Sequence, residues 1–412
     1  MTPEIEKRIN AVKAGRVPAG YKKTKVGIVP KEWEVVSFGS ISFKTGRKKK
    51  KDEDFPIYSI NNRNGFCPQS EQFENDGYAN TSKDSYTLVE KNTFAYNPAR
   101  INIGSIGLLK EPEKVIISSL YVCFGLNNQC DLKFFEAYFK SYRFNYDVLN
   151  YNEGSVRQYL FYDNFAKINV AVPPLEEQKK IAEILSAQDK IIELKEKLIA
   201  EKQRQKKYLM QSLLDENIKR TPFKINGVVI DKSKWQKKCL GNVCDFLDNL
   251  RKPVKENDRK KGIYPYYGAS GIIDYVDDYL FDGTYILLGE DGANIIFRST
   301  PLAFKVSGKI WVNNHAHILL PKDGNSVDFY VNYLESLNYE KYNTGTAQPK
   351  LNQDVVEKIV VNHPSLPEQQ AIAAVLSSAD EEISLLQRDL EQEKLKKKSL
   401  MQLLLTGLVR VK

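Results

Sequence analysis

The sequence predicts an α+β protein in which two β-rich domains alternate with two long helices. The helices are expected to pair antiparallel as a coiled coil about a pseudo-two-fold axis. Three observations support this: an internal repeat, dense strand and turn signals before each copy, and heptad spacing of apolar residues within it. The predicted parts are a basic helical extension 1–25, a first domain 26–172, a helix 173–214, a linker 215–225, a second domain 226–363 and a helix 364–412.

The repeat is clearest where each helix is predicted to begin. The stretch PPLEEQKKIAEILS (173–186) returns as PSLPEQQAIAAVLS (364–377), shifted by 191 residues. Residues 175–214 and 366–405 are identical at 17 of 40 positions, whereas the domains before them have diverged. A weaker echo opens each half, where Trp33 matches Trp235. Each half is therefore a variable domain followed by a nearly invariant helical segment.

The domains are predicted to be rich in short strands. In the run YPYYGASGIIDYVDDYLFDGTYILLGEDGANIIF (264–297), Gly and Asp interrupt short Tyr, Ile and Leu runs, which is typical of strands joined by tight turns. Buried strands are predicted within 113–126 and 309–320, and helices within 131–142 and 328–338. In the basic extension, PEIEKRINAVKAG (3–15) predicts a short helix.

Heptad spacing predicts that the two long helices pack on each other. Apolar residues recur every seven positions: Ile184/Leu185, Ile191/Ile192 and Leu198/Ile199 in the first copy, and Leu376, Ile383 and Leu390 in the second. Ser365 and Glu368 have the spacing of a capping box. Forty helical residues extend about 60 Å, which is longer than one small domain covers. The alternative is that each helix packs on its own domain, but this does not explain why the helices are alike while the domains differ.

Composition limits the function classes without choosing one. The net charge is +9, and residues 1–25 supply +5 of it, while 26–172 and 222–363 each carry 18 basic against 17 acidic residues. A nucleic-acid surface must therefore come from local clustering of charge. No apolar run reaches the roughly 18 residues of a membrane span, and no signal-peptide core opens the chain, so a cytoplasmic location is expected. The five cysteines form no CxxC pair and are predicted to be reduced structural thiols.

The motifs of several enzyme classes are missing. The chain has no GxxxxGK[ST] loop and no GxGxxG that opens a helix, which argues against nucleotide hydrolysis and a Rossmann cofactor. NPAR (97–100) lacks the second proline and the aromatic residue of the methyltransferase NPP[YF] loop and is predicted to be a strand-edge turn. His315 and His317 alternate on one strand face, but without an evident third ligand a surface or packed pair is favoured over a metal site. A non-catalytic chain without a metal site is predicted.

The repeated P-x-L-x-E-Q-x-x-I-A-x-x-L-S opening, a preceding D…K-I, and the W-x-x-x-x-L/F-G-x-I/V start of each half resemble the specificity (S) subunit of type I restriction–modification systems. The resemblance covers about residues 26–412. It implies that each domain is a target-recognition domain for one half of a split sequence in double-stranded DNA. It also implies that the helices set the gap between the half-sites and dock two modification (methyltransferase) subunits that hold S-adenosylmethionine, which restriction (motor–nuclease) subunits then join.

Candidate DNA contacts follow from the residue types that read base edges and phosphates, placed in loops before and between strands. They are Arg47, Lys48, Tyr58, Asn61, Asn62, Arg63, Asn97, Arg100, Arg157 and Gln158 in the first half, and Arg251, Lys252, Tyr267, Ser270, Asn294, Arg298, Gln348 and Lys350 in the second. Because DED follows RKKKK, that loop is also open to pairing with itself. The resemblance implies partner-binding residues at the helix openings: Glu177, Gln178, Ile181, Glu368, Gln369 and Ile372.

Two other functions stay open on the residues alone. A free-standing methyltransferase or nuclease would need the cofactor loop and NPP[YF] motif that the sequence lacks. A coiled-coil scaffold that joins proteins without touching DNA fits the nearly neutral domains. Salt-sensitive binding to duplex DNA separates this scaffold from a specificity subunit.

Overall fold

The computed structural model describes residues 2–50, 52–72, 86–151, 158–215, 217–218, 221–345 and 348–411. The chain folds as two compact units, which comprise residues 1–194 with 390–412, and residues 195–389. No helix within these described ranges is long and apolar enough to cross a membrane.

The helices include two of 40 residues each. Their bounds are α1 Pro3–Lys13, α2 Phe38–Ile41, α3 Gln69–Gln72, α4 Leu132–Tyr138, α5 Tyr142–Tyr151, α6 Tyr162–Phe165, α7 Leu175–Leu214, α8 Leu240–Val243, α9 Asn294–Phe297, α10 Val327–Ser336, α11 Gln353–Val356 and α12 Leu366–Leu405. Helices α7 and α12 are the repeated segments, and each is divided between the two units.

The strands divide between the two repeats. Those of the first are β1 Tyr21–Thr24, β2 Gly27–Pro30, β3 Glu34–Ser37, β4 Ser42–Lys44, β5 Arg47–Lys48, β6 Tyr58–Asn61, β7 Gly65–Pro68, β8 Thr87–Glu90, β9 Phe94–Tyr96, β10 Ile106–Leu108, β11 Lys114–Ile117, β12 Val122–Leu126 and β13 Asn169–Val172. Those of the second are β14 Phe223–Ile225, β15 Val228–Ile230, β16 Gln236–Cys239, β17 Cys244–Phe246, β18 Lys261–Gly268, β19 Gly271–Val276, β20 Phe281–Gly289, β21 Ala303–Val312, β22 Ala316–Pro321 and β23 Val360–His363.

The first unit is built on a four-stranded antiparallel sheet in the order β10-β9-β12-β4 and a three-stranded sheet in the order β11-β8-β5. Its main core is aromatic, with Phe38 stacked on Phe165 at 4.7 Å between ring centroids. Ile181 and Leu185 from the start of α7 and Leu404 from the end of α12 complete this core. The predicted strand within 113–126 is two strands, β11 and β12, in different sheets.

The second unit contains a six-stranded sheet in the order β17-β22-β20-β21-β18-β19. Adjacent strands in this sheet are antiparallel, except that β18 and β21 are parallel. The core beneath this sheet takes Leu214 from the end of α7 and Ile372 and Leu376 from the start of α12. The predicted strand within 309–320 is again two strands, β21 and β22, which lie on opposite sides of β20 and are joined by residues 313–315. The predicted α+β class and the predicted helices within 131–142 and 328–338 are confirmed.

The two long helices pair antiparallel in both units, as the heptad pattern predicts. In the first unit the Gln188 amide nitrogen donates to a Glu393 carboxylate oxygen at 2.7 Å. In the second unit Lys202 pairs with Glu382 at 2.7 Å. As residue numbers rise along α7, those of the partners on α12 fall, which is the antiparallel order. The alternative of separate helices is thereby excluded, although the first turns of each helix also pack on its own domain.

The seam is narrower than predicted. Leu185 and Ile199 are buried and Ile184 and Ile192 are half-buried, but Ile191 and Leu198 are 38% and 43% exposed. A two-helix pair covers only one narrow stripe on each helix, so the first member of the pairs Ile191/Ile192 and Leu198/Ile199 lies outside it. On α12 the predicted Leu376, Ile383 and Leu390 are all buried.

The predicted contacts at the ends of the helices are also present. The Ser365 backbone N–H donates to Glu368 Oε2 at 3.0 Å and its hydroxyl donates at 2.7 Å, which is the predicted contact between these two residues at the start of α12. The predicted N-terminal helix is α1, and its Arg8 donates to the Leu408 carbonyl at 3.2 Å, beyond the end of α12.

All five cysteines are free thiols, and burial raises the pKa of Cys123 to about 12.

Candidate nucleic-acid interface

Three of the predicted DNA-contact segments of the first domain meet on one face. The Ser105 hydroxyl donates to the Ile60 carbonyl at 2.8 Å, which holds the 97–105 turn beside the β6–β7 hairpin. The Leu160 N–H donates to the Pro98 carbonyl at 3.1 Å, which adds the segment that enters α6. We call this face, formed by residues 61–64, 97–104 and 158–161, the first loop face.

Within the first loop face, exposure separates side chains that can reach a ligand from those that shape the turns. Asn62, Arg63, Arg100 and Gln158 are exposed. Asn61 accepts the backbone N–H groups of residues 63 and 64 at 3.0 and 2.8 Å, so it holds the hairpin turn.

Two further candidate DNA-contact residues of the first domain, Asn97 and Tyr58, make contacts within the fold. The Asn97 side-chain oxygen accepts the Ala99 N–H at 3.0 Å, which makes NPAR the predicted turn after β9. Tyr58 is half-buried beside the small core that contains Val115. Arg157 lies outside the described residues.

The first loop face also carries apolar side chains that were not predicted. Phe161 and Ile103 are 52% and 58% exposed. The Phe161 ring stacks on Tyr159 with 5.8 Å between centroids, while Leu160 between them is fully buried. The alternation of Tyr159, Leu160 and Phe161 indicates one buried and one exposed side, but the sequence alone does not show which side is exposed.

The basic loop near residue 47 is largely paired within itself, as the sequence allows. The Arg47 guanidinium donates to Glu53 at 2.8 Å. This hydrogen bond, aided by the N–H of Lys50, lowers the pKa of Glu53 to about 2. Lys48 stays exposed on β5, which pairs with β8 rather than with the strands of the first loop face.

The second domain brings corresponding segments together. The Leu351 N–H donates to the Glu290 carbonyl at 2.7 Å, the equivalent of the contact between Leu160 and Pro98. The Gly292 N–H donates to the Pro349 carbonyl at 3.0 Å, and the Asn313 N–H to the Tyr267 carbonyl at 3.0 Å. We call the face formed by residues 267–270, 290–292, 313–315 and 348–350 the second loop face.

The candidates on the second loop face differ in availability. Ser270, Gln348 and Lys350 are exposed, and Lys252 is exposed close by, with its carbonyl accepting the Trp311 ring N–H at 2.7 Å. Tyr267 is half-buried, and this burial raises the pKa of its hydroxyl.

Arg251 is not a surface reader. Its side chain is 14% exposed, and its guanidinium lies 2.7 Å from a Glu290 carboxylate oxygen and 3.3 Å from one of Asp248. It also donates to the Ala316 carbonyl at 2.8 Å. A cation that is paired this fully inside the fold is committed to structural contacts, and its role as a DNA contact stays a prediction.

Asn294 and Arg298 are also committed elsewhere. The Asn294 side chain closes its own loop through the N–H and carbonyl of Thr300, each at 3.0 Å. Arg298 donates to the Glu335 carbonyl at 2.6 Å and pairs with the carboxylate at 2.7 Å. Both side chains thus join α9 to its surroundings instead of extending from the second loop face.

The two histidines do not share a face. His315 precedes β22, is exposed, and lies 2.7 Å from Asp291. His317 is fully buried, with Nδ1 at 2.5 Å from Asp248 and Nε2 at 2.8 Å from the Leu351 carbonyl. The turn before β22 places them differently, so the alternation expected of one strand does not apply.

The six predicted partner-binding residues are buried, and the structure gives them a role within the chain. Glu177, Gln178, Ile181, Glu368, Gln369 and Ile372 are each at most 8% exposed. Trp33 donates its ring N–H to Glu177 at 3.0 Å, and Trp235 does so to Glu368 at 3.1 Å. We call these matching contacts, with those of the glutamines, the helix joints.

The glutamines of the two joints repeat the same pattern. The Gln178 oxygen accepts the Asp131 N–H at 2.8 Å, and the Gln369 oxygen accepts the Ser326 N–H at 2.9 Å. Asp131 and Ser326 are the N-caps of α4 and α10. The same amides donate to the carbonyls of Pro173 and Pro364 at 2.9 and 3.0 Å. Each E-Q pair therefore attaches a long helix to its domain.

Hydrogen bonding dominates the electrostatics of the second joint. Burial acts to raise the pKa of Glu368, but donors from Asp231, Ser365 and Trp235 outweigh it, and the pKa lies below its usual value. In the first joint Arg410 donates to Glu177 at 2.6 Å, and this bond raises the pKa of the guanidinium. Both carboxylates are thus held by several donors.

A pair of exposed leucines is a surface that the heptad analysis missed. Leu194 on α7 and Leu385 on α12 are each 52% exposed and are equivalent in the 191-residue repeat. An apolar residue at the same outward position of both copies is unusual for a solvated helix face. The sequence match contained this signal, but only the pairing of the helices shows which face is outward.

Comparison with known proteins agrees with this architecture. The profile described as type I restriction modification DNA specificity domain matches residues 30–203 and 232–395. A putative type I restriction enzyme specificity subunit of Haemophilus influenzae is 33% identical over 150 residues, which span 36% of this chain and 38% of the relative. The MjaVIII specificity subunit of Methanocaldococcus jannaschii is 27% identical over 93% of this chain and 94% of its own length.

Solved structures share the fold at low sequence identity. The S subunit of a type I restriction–modification system from M. genitalium has a TM-score of 0.57 and 17% identity, and the match covers 90% of this chain and 96% of that chain. A chain from a structural study of complex assembly and conformational transition in the type I system has a TM-score of 0.58 and 15% identity, covering 92% and 99%.

Proposed function

The chain belongs to the type I restriction modification DNA specificity family, and from this premise we propose that it selects the target of a type I restriction–modification complex. Recognition of a DNA target is general to this family. The finer proposal is that each domain reads one half of a bipartite site through its loop face. The observation that carries it is the repeated contact of Leu160 with Pro98 and of Leu351 with Glu290, which brings equivalent loops together in both domains.

The exposed groups of the two loop faces suit duplex DNA. Arginine and lysine neutralise phosphates and read guanine, and amide side chains read adenine. Arg63, Arg100 and Asn62 supply these groups in the first domain, and Lys350 and Gln348 supply them in the second. Phe161 adds an apolar surface of the kind that contacts a thymine methyl group. Although the domains are nearly neutral in net charge, the proposed DNA-contacting side chains are therefore concentrated on the loop faces.

The helices are proposed to set the gap between half-sites and to dock two methyltransferase subunits. The equivalent outward leucines, Leu194 and Leu385, support two like docking positions, because a duplicated surface binds the same partner twice. S-adenosylmethionine is proposed to bind in those partner subunits, which motor–nuclease subunits join. Specificity subunits of type I systems are in general non-catalytic, and we propose the same for this chain.

The test is to co-express the chain with its methyltransferase subunit and map adenine methylation across the host genome. A bipartite target with a fixed gap is expected. Deleting one heptad from each helix, residues 196–202 and 383–389, preserves the seam and shortens each helix by about 10 Å. At 3.4 Å per base pair the gap should shrink by about three base pairs with both half-sites unchanged. A contiguous target, or an unchanged gap in the shortened variant, would refute the proposal.

A further inference from the structure

Beneath the second loop face, the side chains of Arg251, Asp248, Glu290 and His317 lie in a closed ring. Arg251 bridges Asp248 and Glu290, with its nitrogens 3.3 and 2.7 Å from their carboxylate oxygens. His317 joins Asp248 at 2.5 Å to the Leu351 carbonyl at 2.8 Å. The ring closes where the Leu351 N–H donates to the Glu290 carbonyl at 2.7 Å. We call these four side chains the charged ring.

The hydrogen-bond geometry fixes the direction of the ring. The Leu351 carbonyl can only accept, so His317 Nε2 donates to it. The second oxygen of Asp248 accepts the Ile318 N–H at 2.9 Å, which locks this carboxylate to β22. The backbone at Leu351 is therefore held from both sides, by His317 at its carbonyl and by Glu290 at its N–H.

The ring reaches the surface at one point. Lys350 Nζ lies 3.3 Å from Glu290, and the Lys350 side chain is 47% exposed, compared with 12% for Glu290. The exposed candidates Gln348 and Lys350 directly precede the residue that the ring holds. The ring thus controls the backbone from which these side chains extend.

The first domain has no such ring at the equivalent positions. Strand pairing matches His317 with Val122, since each lies opposite the equivalent residue of the neighbouring strand, Leu288 or Tyr96. Pro98 occupies the place of Glu290. The equivalent contacts of Thr45 with Cys123 and of Leu247 with Ile318 put Gly46 in the place of Asp248. At these described positions, the buried network is therefore particular to the second domain.

A metal site is not what these residues form. Ligand atoms of Asp248, Glu290 and His317 lie within 4.8 Å of one another. However, the Arg251 guanidinium already contacts both carboxylates and supplies the positive charge that a metal ion would bring. The arrangement is a satisfied internal network, which orders the segments it joins.

We propose that the charged ring is a positioning centre for the second half-site: Arg251, Asp248 and His317 hold the 348–351 backbone so that Gln348 and Lys350 meet one base-pair sequence. This rests on the proposed function. Arg251 and His317 then determine specificity without touching DNA. A loop held at fewer points accepts several base pairs, because discrimination depends on donors and acceptors held in fixed positions.

The experiment measures methylation by the assembled complex on oligonucleotides in which each base of either half-site is changed singly. Arg251→Met should lower discrimination at the second half-site at least tenfold and leave the first half-site unchanged. The matched control is Arg259→Met, since Arg259 is also largely buried, at 17% exposure, and pairs with Asp274 at 3.3 Å outside the ring. The control should lower the unfolding midpoint without changing discrimination.

A conservative variant covers failure to fold. In Asp248→Asn the amide nitrogen replaces the oxygen that His317 and Arg251 share, so it donates to His317 Nδ1 while Arg251 Nη2 loses its acceptor, and the remaining oxygen still accepts the Ile318 N–H. Discrimination at the second half-site should fall about threefold. Unchanged discrimination in this variant and in folded Arg251→Met, or an equal loss in Arg259→Met, would overturn the inference. A wild-type complex without bipartite preference would instead refute the proposed function.

Discussion

The helix joints and the loop faces show opposite behaviour between the two halves of the chain. In the joints, the Trp–Glu and Gln–Pro distances agree within 0.1 Å across the repeat, at 3.0 against 3.1 Å and 2.9 against 3.0 Å. In the loop faces, the stacked aromatic pair Tyr159 and Phe161 of the first domain is replaced at the equivalent positions of the repeat by Lys350 and Asn352. One backbone framework is kept while its exposed side chains change.

This difference gives the repeated helix opening a second explanation. A surface that meets the same partner twice would retain its residues, but Gln178 and Gln369 are fully buried and bind their own domains. A buried amide with three partners is retained because its replacement leaves those partners unsatisfied. The proposed docking is then left to exposed equivalent positions such as Leu194 and Leu385.

The largest expected effect is the loss of one docked partner. Leu194→Asp places a charge in the proposed apolar contact and should reduce the methyltransferase subunits per chain from two to one, as should Leu385→Asp, and the double variant should bind none. Native mass spectrometry of the purified complexes measures this. Leu395→Asp is the control, since Leu395 is 57% exposed but matches Arg204 in the other copy. Full assembly of the double variant would exclude these positions as docking sites.

The next effect tests whether the joints are structural. Gln178→Leu leaves the Asp131 N–H and the Pro173 and Gln129 carbonyls without their partner. The free energy of unfolding should fall by about 3 kcal/mol, measured by urea denaturation. Gln369→Leu should cost a similar amount. If either variant keeps its stability but fails to bind the methyltransferase, the original assignment to partner binding is restored.

A smaller effect depends on pH. Glu368→Gln removes a carboxylate that accepts from Asp231, Ser365 and Trp235, which should cost about 2 kcal/mol at neutral pH. Because the folded pKa of Glu368 is depressed, its contribution is present above the unfolded pKa, about 4.3, and is lost as pH falls through the folded value. The stability difference between wild type and variant should therefore narrow below about pH 4. A constant difference down to pH 2 would contradict this.

The smallest effect separates readers from framework on the first loop face. Arg100→Ala should weaken binding to the first half-site by about 1 kcal/mol and leave preference at the second unchanged. Competition binding by the assembled complex at several salt concentrations measures this. Loss of base preference indicates a base contact, while a uniform loss with a shallower salt slope indicates a phosphate contact. Arg16→Ala is the control, since Arg16 is exposed outside both loop faces. Equal losses in both variants would remove Arg100 from the interface.

Local pattern was sufficient for the long helices and several turns. Heptad spacing, the Ser365–Glu368 spacing and the identity of the two copies depend on residues near one another in the chain, so α7, α12 and the start of α12 follow from the sequence. The NPAR turn follows for the same reason, because Asn97 bonds to a backbone group two residues away.

The candidate site was predictable by loop and not by residue. Most of the chosen loops do meet on the loop faces, since they lie between strands at one edge of each domain. Yet Arg251 and Arg298 face inward to Glu290 and Glu335, acidic residues 39 and 37 positions further along the chain. No residue near either arginine in the sequence indicates these distant partners. An arginine in a predicted loop is therefore expected to be exposed until the structure shows which segments surround it.

By itself, the sequence determined the duplicated plan, the two helices and the family, because these rest on repeats and short-range spacing. Only the tertiary structure decided that the E-Q pairs are buried joints, that Ile191 and Leu198 lie outside the helix seam, and that the charged ring supports the second loop face. Burial and ion pairing depend on which distant segments come together, and that is a property of the packed chain.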